Sequence, residues 1–296
     1  MGRDPAGNLV ATSGTSFHRT GIAPRQRRRI ARLFIAVLVL LCLTAPARAD
    51  FMEGWRAYQR GEFATALRHW TKLAKDGDPI AQYNVGVMYD EGTGVNRDGA
   101  KVVVWWRKAA GQGHRRAQHN LALLFIERGG AENFDRAASW LKRAAASGFV
   151  RSQYSLAKMY VAGLGVEQDD KRALALFLKA GKAGFVKAQY NLGKVYRDGI
   201  GINADRVASL DWFTKAANQG YAKAQEKLAR HFARPNDAKR DVTEAFKWAI
   251  LATRQGRTSA RDILVELRKS MNSRQIAAAE SRAKAFRPGP AVDGRK

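Results

Sequence analysis

Cysteine is almost absent from this chain, because Cys42 is the single cysteine among 296 residues. One cysteine cannot form a disulfide within the chain, and it cannot supply the cysteine cluster of a structural zinc site. A lipoprotein needs a small residue immediately before the modified cysteine, whereas Leu41 stands at that place. We therefore expect a fold that is stable without disulfides, without cysteine-bound metal and without a lipid anchor at Cys42.

Catalytic signatures are also missing. The sequence contains no H-E-x-x-H metal motif, no Walker phosphate loop and no G-x-S-x-G nucleophile motif. The G-x-G pairs lie between helical segments rather than between a strand and a helix, so we interpret them as turn glycines. Four histidines after the first fifty residues form no recognisable ligand set: His69, His114, His119 and His231. We predict no catalytic residue, no bound cofactor and no metal site.

One enzymatic pattern does occur, the spacing S-x-x-K. It is found at Ser139 and Lys142 and again at Ser155 and Lys158. In serine β-lactamases this spacing places a lysine where it helps to deprotonate the nucleophilic serine. The accompanying S-D-N and K-T-G motifs are absent. Serine β-lactamase-like activity is therefore kept only as a remote alternative to a non-enzymatic protein.

Long hydrophobic runs are scarce. Residues 33–43 form an apolar run of eleven residues, whereas a helix that spans a bilayer needs about 20. Arginines precede this run in residues 25–32, and the small-residue pattern 47–49 follows it, which is the order of a secretory signal peptide. We predict a leader of residues 1–49, cleaved between Ala49 and Asp50, and a periplasmic or secreted protein.

Two alternatives concern this leader. An uncleaved segment at residues 30–44 would instead anchor the protein in the inner membrane, facing the periplasm. Residues 1–24 are polar and serve no purpose in a signal peptide, so we hypothesise that translation starts after them.

Acidic residues are few, with 26 Asp and Glu against 52 Lys and Arg and a net charge of +26. Residues 50–296 keep 44 basic and 25 acidic side chains, a net charge of +19. Outside the inner membrane, the anions that such a surface can attract are lipid head groups, acidic polysaccharide and acidic protein surfaces. Solvated helix faces are the alternative explanation of this charge. No long tract of one sign marks a nucleic-acid arm, so we expect no nucleic acid as partner.

Internal repetition is the main feature that the sequence does contain. The block Ala81-Gln82-Tyr83-Asn84 recurs four times in related form, and its glutamines are 36, 35, 36 and 36 residues apart: Gln82, Gln118, Gln153, Gln189 and Gln225. A glycine stands five residues before each of these glutamines, from Gly77 to Gly220, and Gly256 continues the series. A fixed period of this length indicates a stack of repeated units.

Each unit resolves into two helices. Ala81, Val85, Met88 and Tyr89 follow the spacing of one helical face. A loop with two glycines comes next, and a second helix with Ala and Trp or Phe at helical spacing ends at the series glycine. One such pair cannot bury its apolar face alone, but stacked pairs can.

The unit A-Q-x-x-L-G-x-x-Y-x-x-G-x-G-V-x-x-D-x-x-x-A-x-x-W-x-x-K-A-A-x-x-G resembles the Sel-1-like repeat, a relative of the tetratricopeptide repeat. Residues 81–113 match it nearly throughout. Two units depart from it, with Gly129-Gly130 and with Pro235-Asn236 in place of the loop glycines, so their turns should differ in shape. The resemblance implies an all-α, right-handed α-solenoid of stacked helix-turn-helix repeats of about 36 residues, preceded here by the N-terminal signal peptide.

The repeat pattern also suggests domain boundaries. Residues 50–77 form a tetratricopeptide-like helix pair, residues 78–256 the Sel-1-like repeats and residues 257–287 two C-terminal capping helices. Residues 288–296 are expected to be a disordered tail.

Two residue types recur in the units with a predicted structural role. The tryptophans are expected mainly in the core: Trp70, Trp105, Trp106, Trp140, Trp212 and Trp248. The recurring glutamine is expected to hydrogen-bond between neighbouring units. Its alternative role is a polar ladder on the concave surface that binds the backbone of a partner.

Proteins with related repeats bind other proteins along a concave groove, so the resemblance implies a non-enzymatic scaffold, adaptor or regulator in the cell envelope. The expected partner is another protein, associated with the envelope or the inner membrane. The alternative is an anionic envelope component, peptidoglycan or acidic polysaccharide, held by the basic surface. No small-molecule cofactor is expected.

Overall fold

The computed structural model describes residues 49–235 and 240–290. The predicted leader, except Ala49, lies outside the described residues, and so do residues 291–296 of the predicted tail. The regular secondary structure of the described part is α-helical, in fourteen helices. These are α1 (49–59), α2 (Phe63–Lys75), α3 (Pro79–Glu91), α4 (Gly99–Gly111), α5 (Arg115–Arg128), α6 (Ala131–Ala146), α7 (Val150–Ala162), α8 (Asp170–Lys182), α9 (Val186–Asp198), α10 (Arg206–Asn218), α11 (Ala222–Ala233), α12 (Val242–Arg254), α13 (Thr258–Ser270) and α14 (Ser273–Ala285).

Each helix from α2 to α11 packs against the next helix along the chain, and α12 packs against both α13 and α14. Contacts that stay local in sequence are the mark of a solenoid. The predicted fold, an all-α right-handed solenoid of stacked helix pairs, is thereby confirmed. The domain boundaries and the signal peptide stay predictions. Across residues 49–235 and 240–290, no helix combines the length and the apolar character that crossing a membrane requires.

An aspartate starts the second helix of four repeat units. Asp98, Asp169, Asp205 and Asp241 are the N-cap residues of α4, α8, α10 and α12, and each side chain accepts a hydrogen bond from a backbone N–H of the first turn. Those N–H groups have no partner inside the helix, so the caps satisfy them. The aspartate of the repeat motif therefore marks the start of the second helix.

The second glycine of the loop lets consecutive units approach closely. Gly201 has a φ of 68°, and a Cβ atom there would lie 2.7 Å from the carbonyl oxygen of Asp170, at the start of α8. Gly165 stands in the same relation to Phe134 of α6. In the second unit only Gly129 and Gly130 separate α5 from α6, so this turn differs in shape as expected. Residues 236–239 of the other unusual turn lie outside the described residues.

The core is built from large residues on one helix over small residues on the next. Trp70, Trp106, Trp212 and Trp248 are buried, which confirms their predicted place. Trp105 and Trp140 are only half-buried, so the prediction of a core position is wrong for these two. The adjacent Trp106 and Leu141 take the core positions, and the cations of Lys108 and Arg143 lie over the outer rings.

The recurring glutamine links neighbouring units, as predicted. Gln189 of α9 donates from Nε2 to the carbonyl oxygen of Gly181 at the end of α8, at 3.1 Å. Its Oε1 accepts a hydrogen bond of 2.8 Å from Gln219, at the end of α10. Gln82 and Gln225 form the same two bonds, and all five glutamines are buried. The side chains therefore hold the stack together and are not displayed to a partner.

Candidate interaction groove

A surface concavity lies along the first helices of three consecutive units, α5, α7 and α9. It has a volume of about 720 Å³, and we call it the central groove. Its lining residues are His119, Leu123, Ile126, Arg151, Tyr154, Ser155, Lys158, Met159, Ala162, Leu164, Phe185, Val186 and Lys187. A groove of this size can hold several side chains of a partner.

The floor of the central groove is apolar. Met159 and Phe185 are buried beneath it, whereas Leu123 and Leu164 are 42% and 38% exposed. Large aliphatic side chains that remain exposed in a concavity lose contact with water when a partner covers them, which stabilises the complex. The floor therefore provides an apolar contact surface.

The rim of the central groove is cationic. Lys158 on α7 and Lys187 on α9 are exposed, and neither forms an ion pair with a carboxylate of the described residues. Arg151 on α7 adds a third positive charge at the rim. The groove thus combines an apolar floor with a positive edge, which is complementary to an apolar segment that carries acidic residues.

The polar groups inside the groove are uncharged at neutral pH. His119 Nδ1 lies 3.0 Å from Ser152 Oγ. Burial, with a smaller contribution from the Arg151 charge, lowers the pKa of His119 to about 4. Tyr154 accepts a hydrogen bond of 3.3 Å from Asn191, and burial raises the pKa of its phenol. A partner would meet no negative charge from these side chains.

The two S-x-x-K patterns have different places in the fold. Ser139 is exposed on α6 and does not line the groove, whereas Ser155 and Lys158 both line it. No hydrogen bond joins Ser155 to Lys158 among the described side chains. A serine nucleophile needs a base within hydrogen-bond reach, so the structure does not bring these residues together as a catalytic pair. The expected absence of catalytic residues stays a prediction.

His69 is the histidine whose surroundings the sequence did not indicate. It lies with Asp50 and Glu53 in a group whose potential ligand atoms are all within 4.8 Å of one another. The expectation of no metal site stays a prediction. Lys72 Nζ lies 2.7 Å from Asp50 Oδ2 and lowers the pKa of that carboxyl. This ammonium would repel a metal ion, and the group is best described as a surface ion-pair cluster.

The groove residues themselves were not identified from the sequence, although one signal was present. Leu123 stands five residues after its unit's glutamine, where Lys158, Lys194 and Arg230 stand in later units. An exposed apolar residue at a position that is basic in the three following units indicates a contact surface. Comparing the units position by position would have found it.

Comparisons with known proteins agree with this architecture. The Sel1 repeat model matches residues 79–114, 115–149, 150–185, 186–221 and 222–256. A Sel1 repeat protein from Oxalobacter formigenes is similar over 81% of this chain and 72% of its own, with 28% identity and a TM-score of 0.66. A comparison with curated proteins gives no significant match.

Two further solved structures are similar at lower scores. The protective antigen c5321 of uropathogenic Escherichia coli, which has an SLR fold, covers 81% of this chain and 61% of its own, with 26% identity and a TM-score of 0.47. The immunity protein PA5088 from Pseudomonas aeruginosa covers 70% and 83%, with 17% identity and a TM-score of 0.47. Neither likeness bears on function.

The family model covers more than half of the chain, and each of its five matches begins at the first residue of a helix (α3, α5, α7, α9 or α11) and ends in the turn after the following helix. Because of this coverage, the chain belongs to the Sel1-repeat family, whose helical solenoids are protein-interaction scaffolds.

Proposed function

We propose that this protein is a non-enzymatic adaptor or regulator in the cell envelope, and that its central groove binds a segment of a partner protein. The observation that carries the proposal is the apolar surface of the groove, with Leu123 and Leu164 exposed, in a lining that also contains the cations Lys158 and Lys187. The segment that fits carries aliphatic side chains flanked by Asp or Glu.

The two parts of the groove have different roles in this proposal. Covering the floor supplies most of the affinity, at about 25 cal/mol per Å² of apolar surface. The rim charges mainly increase the association rate and select acidic partners. Binding should therefore weaken only modestly in high salt, because a buried apolar contact is not screened.

The location in the envelope rests on the sequence pattern of residues 25–49. Two contacts near the proposed cleavage point support it: Asp50 pairs with Lys72 at 2.7 Å, and the Phe51 carbonyl accepts a hydrogen bond of 3.4 Å from Trp70. A chain that starts at Asp50 would keep both contacts. The partner is then a periplasmic protein or the periplasmic part of an inner-membrane protein.

The proposal is tested with a matched pair of variants. Leu123→Asp puts a charge on the groove floor, whereas Val104→Asp puts the same charge on α4, outside the groove lining, where Val104 is 50% exposed. Both proteins are tagged at the native locus, cross-linked in intact cells and purified at low and high salt, and their partners are identified by mass spectrometry.

We expect one dominant envelope protein with the wild type and with Val104→Asp, retained in high salt and lost with Leu123→Asp. Equal recovery with both variants would contradict the groove as the binding site. Equal melting temperatures of the purified variants exclude misfolding as the cause. The N-terminal peptide of the purified protein tests the location, because a start at Asp50 is expected and an intact leader contradicts cleavage.

A second candidate function is binding of an anionic envelope polymer, either peptidoglycan or acidic polysaccharide. The observation that favours it is a row of cations at one repeat position of four successive first helices: Arg116, Arg151, Lys187 and Lys223. Contacts between such a row and a polyanion weaken steeply with salt. Recovery of polymer alone, lost in high salt, would support this candidate against the protein partner.

A further inference from the structure

A second concavity lies between α9, α10 and α11, away from the central groove. It has a volume of about 300 Å³, and we call it the cationic cleft. Its lining residues are Arg197, Ala204, Arg206, Ser209, Leu210, Phe213, Lys227, His231 and Arg234. Four of these carry a permanent positive charge, they come from three different helices or their ends, and no described lining residue is acidic.

The electrostatics of the cleft show that its cations are crowded. Burial lowers the pKa of Lys227, and the nearby positive charge of Arg197 lowers it further. The Glu226 carboxylate raises this pKa, whereas the charges of Arg230 and Lys194 again lower it. Neither Lys227 nor Arg234 forms an ion pair with a carboxylate of the described residues. Arg197 is paired with Asp198 at 2.7 Å, and Glu226 is hydrogen-bonded to Arg230 and Arg257. A bound anion would relieve the repulsion among these cations.

The repeat itself provides an internal reference for this charge. At the corresponding positions around α7, α8 and α9, the residues are Val161, Asp170, Asn191 and Asp198 in place of Arg197, Arg206, Lys227 and Arg234. Around α3, α4 and α5 they are Asp90, Gly99, Asn120 and Glu127. These two junctions thus each carry two carboxylates and no cation at the positions where this junction carries four cations. The repeat architecture does not require these cations, so their convergence is specific to one place in the stack.

We propose that the cationic cleft binds the phosphate group of a small ligand. A phosphate presents several acceptor oxygens in a tetrahedral arrangement and up to two negative charges, so donors from several directions can contact it together. A carboxylate is planar, has two oxygens and carries one charge, so it can contact fewer of the donors in the cleft at the same time. Leu210 and Phe213 form an apolar wall beside the cations, against which the rest of the ligand would pack. This site is independent of the protein partner proposed for the central groove.

The test uses the full purified protein and pyrophosphate as the probe, with citrate as a carboxylate of similar charge and the ionic strength held constant with NaCl. The cleft variant is Lys227→Asn combined with Arg234→Gln. Asparagine is the residue that the repeat places at the first position in α5 and α9. The control variant, Lys182→Asn combined with Arg107→Gln, removes the same charge at two exposed positions that line neither the cleft nor the central groove. Affinity is measured by calorimetry and, independently, by the rise of the melting temperature with ligand.

We expect saturable binding of pyrophosphate to the wild type and the control variant, and at least tenfold weaker binding to the cleft variant. Citrate should bind at least tenfold more weakly than pyrophosphate. The proposal is overturned if the wild type shows no saturable binding, if the cleft variant binds as tightly as the control variant, or if citrate matches pyrophosphate. The unliganded melting temperature of the cleft variant should be no lower than that of the wild type, which separates lost binding from misfolding.

Discussion

Two consecutive junctions of the stack, α7–α8–α9 and α9–α10–α11, have the same architecture and opposite charge. Both have a pair of left-handed loop glycines, an aspartate that caps the second helix and a glutamine that bonds back to the preceding helix. Yet two positions outside this recurring set change from Asp170 and Asp198 in one junction to Arg206 and Arg234 in the next. The recurring residues maintain the fold, and the positions between them are free to acquire a binding function.

The glutamine contacts differ more subtly between the units. Gln189 accepts a hydrogen bond from Gln219, whereas Ala183 stands at that position in the preceding unit, so Gln153 has only its bond to Ala145, at 3.4 Å. The recurring buried residues that maintain the fold, which we call the framework residues, therefore form stronger hydrogen bonds in some units than in others. Four predictions follow from separating framework residues from the exposed positions between them.

The largest effect is expected from removing a framework aromatic ring. Trp212→Ala should reduce the free energy of unfolding by about 3–5 kcal/mol, because the ring is buried and its loss leaves a cavity. Trp140→Ala changes the corresponding residue of the second unit, which is half-buried, and should cost less than half as much. Urea denaturation measures both. Equal losses would contradict the different burial of the two rings.

A smaller effect is expected from adding one methyl group to a framework glycine. A Cβ atom on Gly193 of α9 would lie 2.5 Å from Phe213 Cδ1, so Gly193→Ala should destabilise the protein by about 1–3 kcal/mol. The preceding unit already has Ala157 at this position, and Ala157→Gly should cost about 1–2 kcal/mol through lower helix propensity and the loss of a buried methyl group. A stabilising effect of Gly193→Ala in urea denaturation would refute the close contact.

The graded glutamine contacts predict a difference of similar or smaller size. Gln189→Ala should cost about 1–3 kcal/mol, because it removes two hydrogen bonds, to the Gly181 carbonyl and from Gln219, each contributing about 0.5–1.5 kcal/mol. Gln153→Ala, which breaks one longer bond, should cost about half of that. Thermal and urea unfolding of both variants checks this order, and the reverse order would show that the Gln189–Gln219 bond adds nothing to stability.

The smallest effect on stability is expected at the exposed cations. Lys227→Asn should change the free energy of unfolding by no more than about 0.5 kcal/mol, as is usual for surface positions, and in the stabilising direction. The folded chain lowers the pKa of Lys227 below its ordinary value of 10.5, so the unfolded chain holds this proton more tightly. Wild-type stability should therefore rise relative to that of Lys227→Asn as the pH increases toward 10.5. Unfolding of both proteins at about pH 8 and about pH 10 measures this difference. If wild-type stability instead falls relative to that of the variant, the pKa of Lys227 is raised and not lowered in the folded chain.

Much of the fold could be predicted from the sequence because its determinants are local and repeated. The glutamine spacing, the series glycines and the Ala positions predicted the helix pairs. The burial of Trp105 and Trp140 could not be predicted, because the neighbouring Trp106 and Leu141 compete for the same core position. Helical spacing alone does not decide which of two adjacent residues points inward.

The candidate sites were harder to predict because they join residues from different units. Arg197, Arg206 and Lys227 are separated along the chain, so no cluster of positive charge is visible in the sequence, although the fold brings these residues together. The same holds for Leu123 and Leu164 in the central groove. Comparing equivalent positions between the units reveals both sets, whereas a search for contiguous motifs does not.

The central claim is that a partner protein binds to the central groove. It is tested most directly by placing a photo-activated cross-linking residue at Leu123 or, as control, at Val104, and irradiating intact cells. We expect a single cross-linked protein from position 123 and little product from position 104. The result should be the same at about 0.1 M and about 1 M salt. The same products from both positions, or products that disappear in high salt, would contradict a groove-bound protein partner.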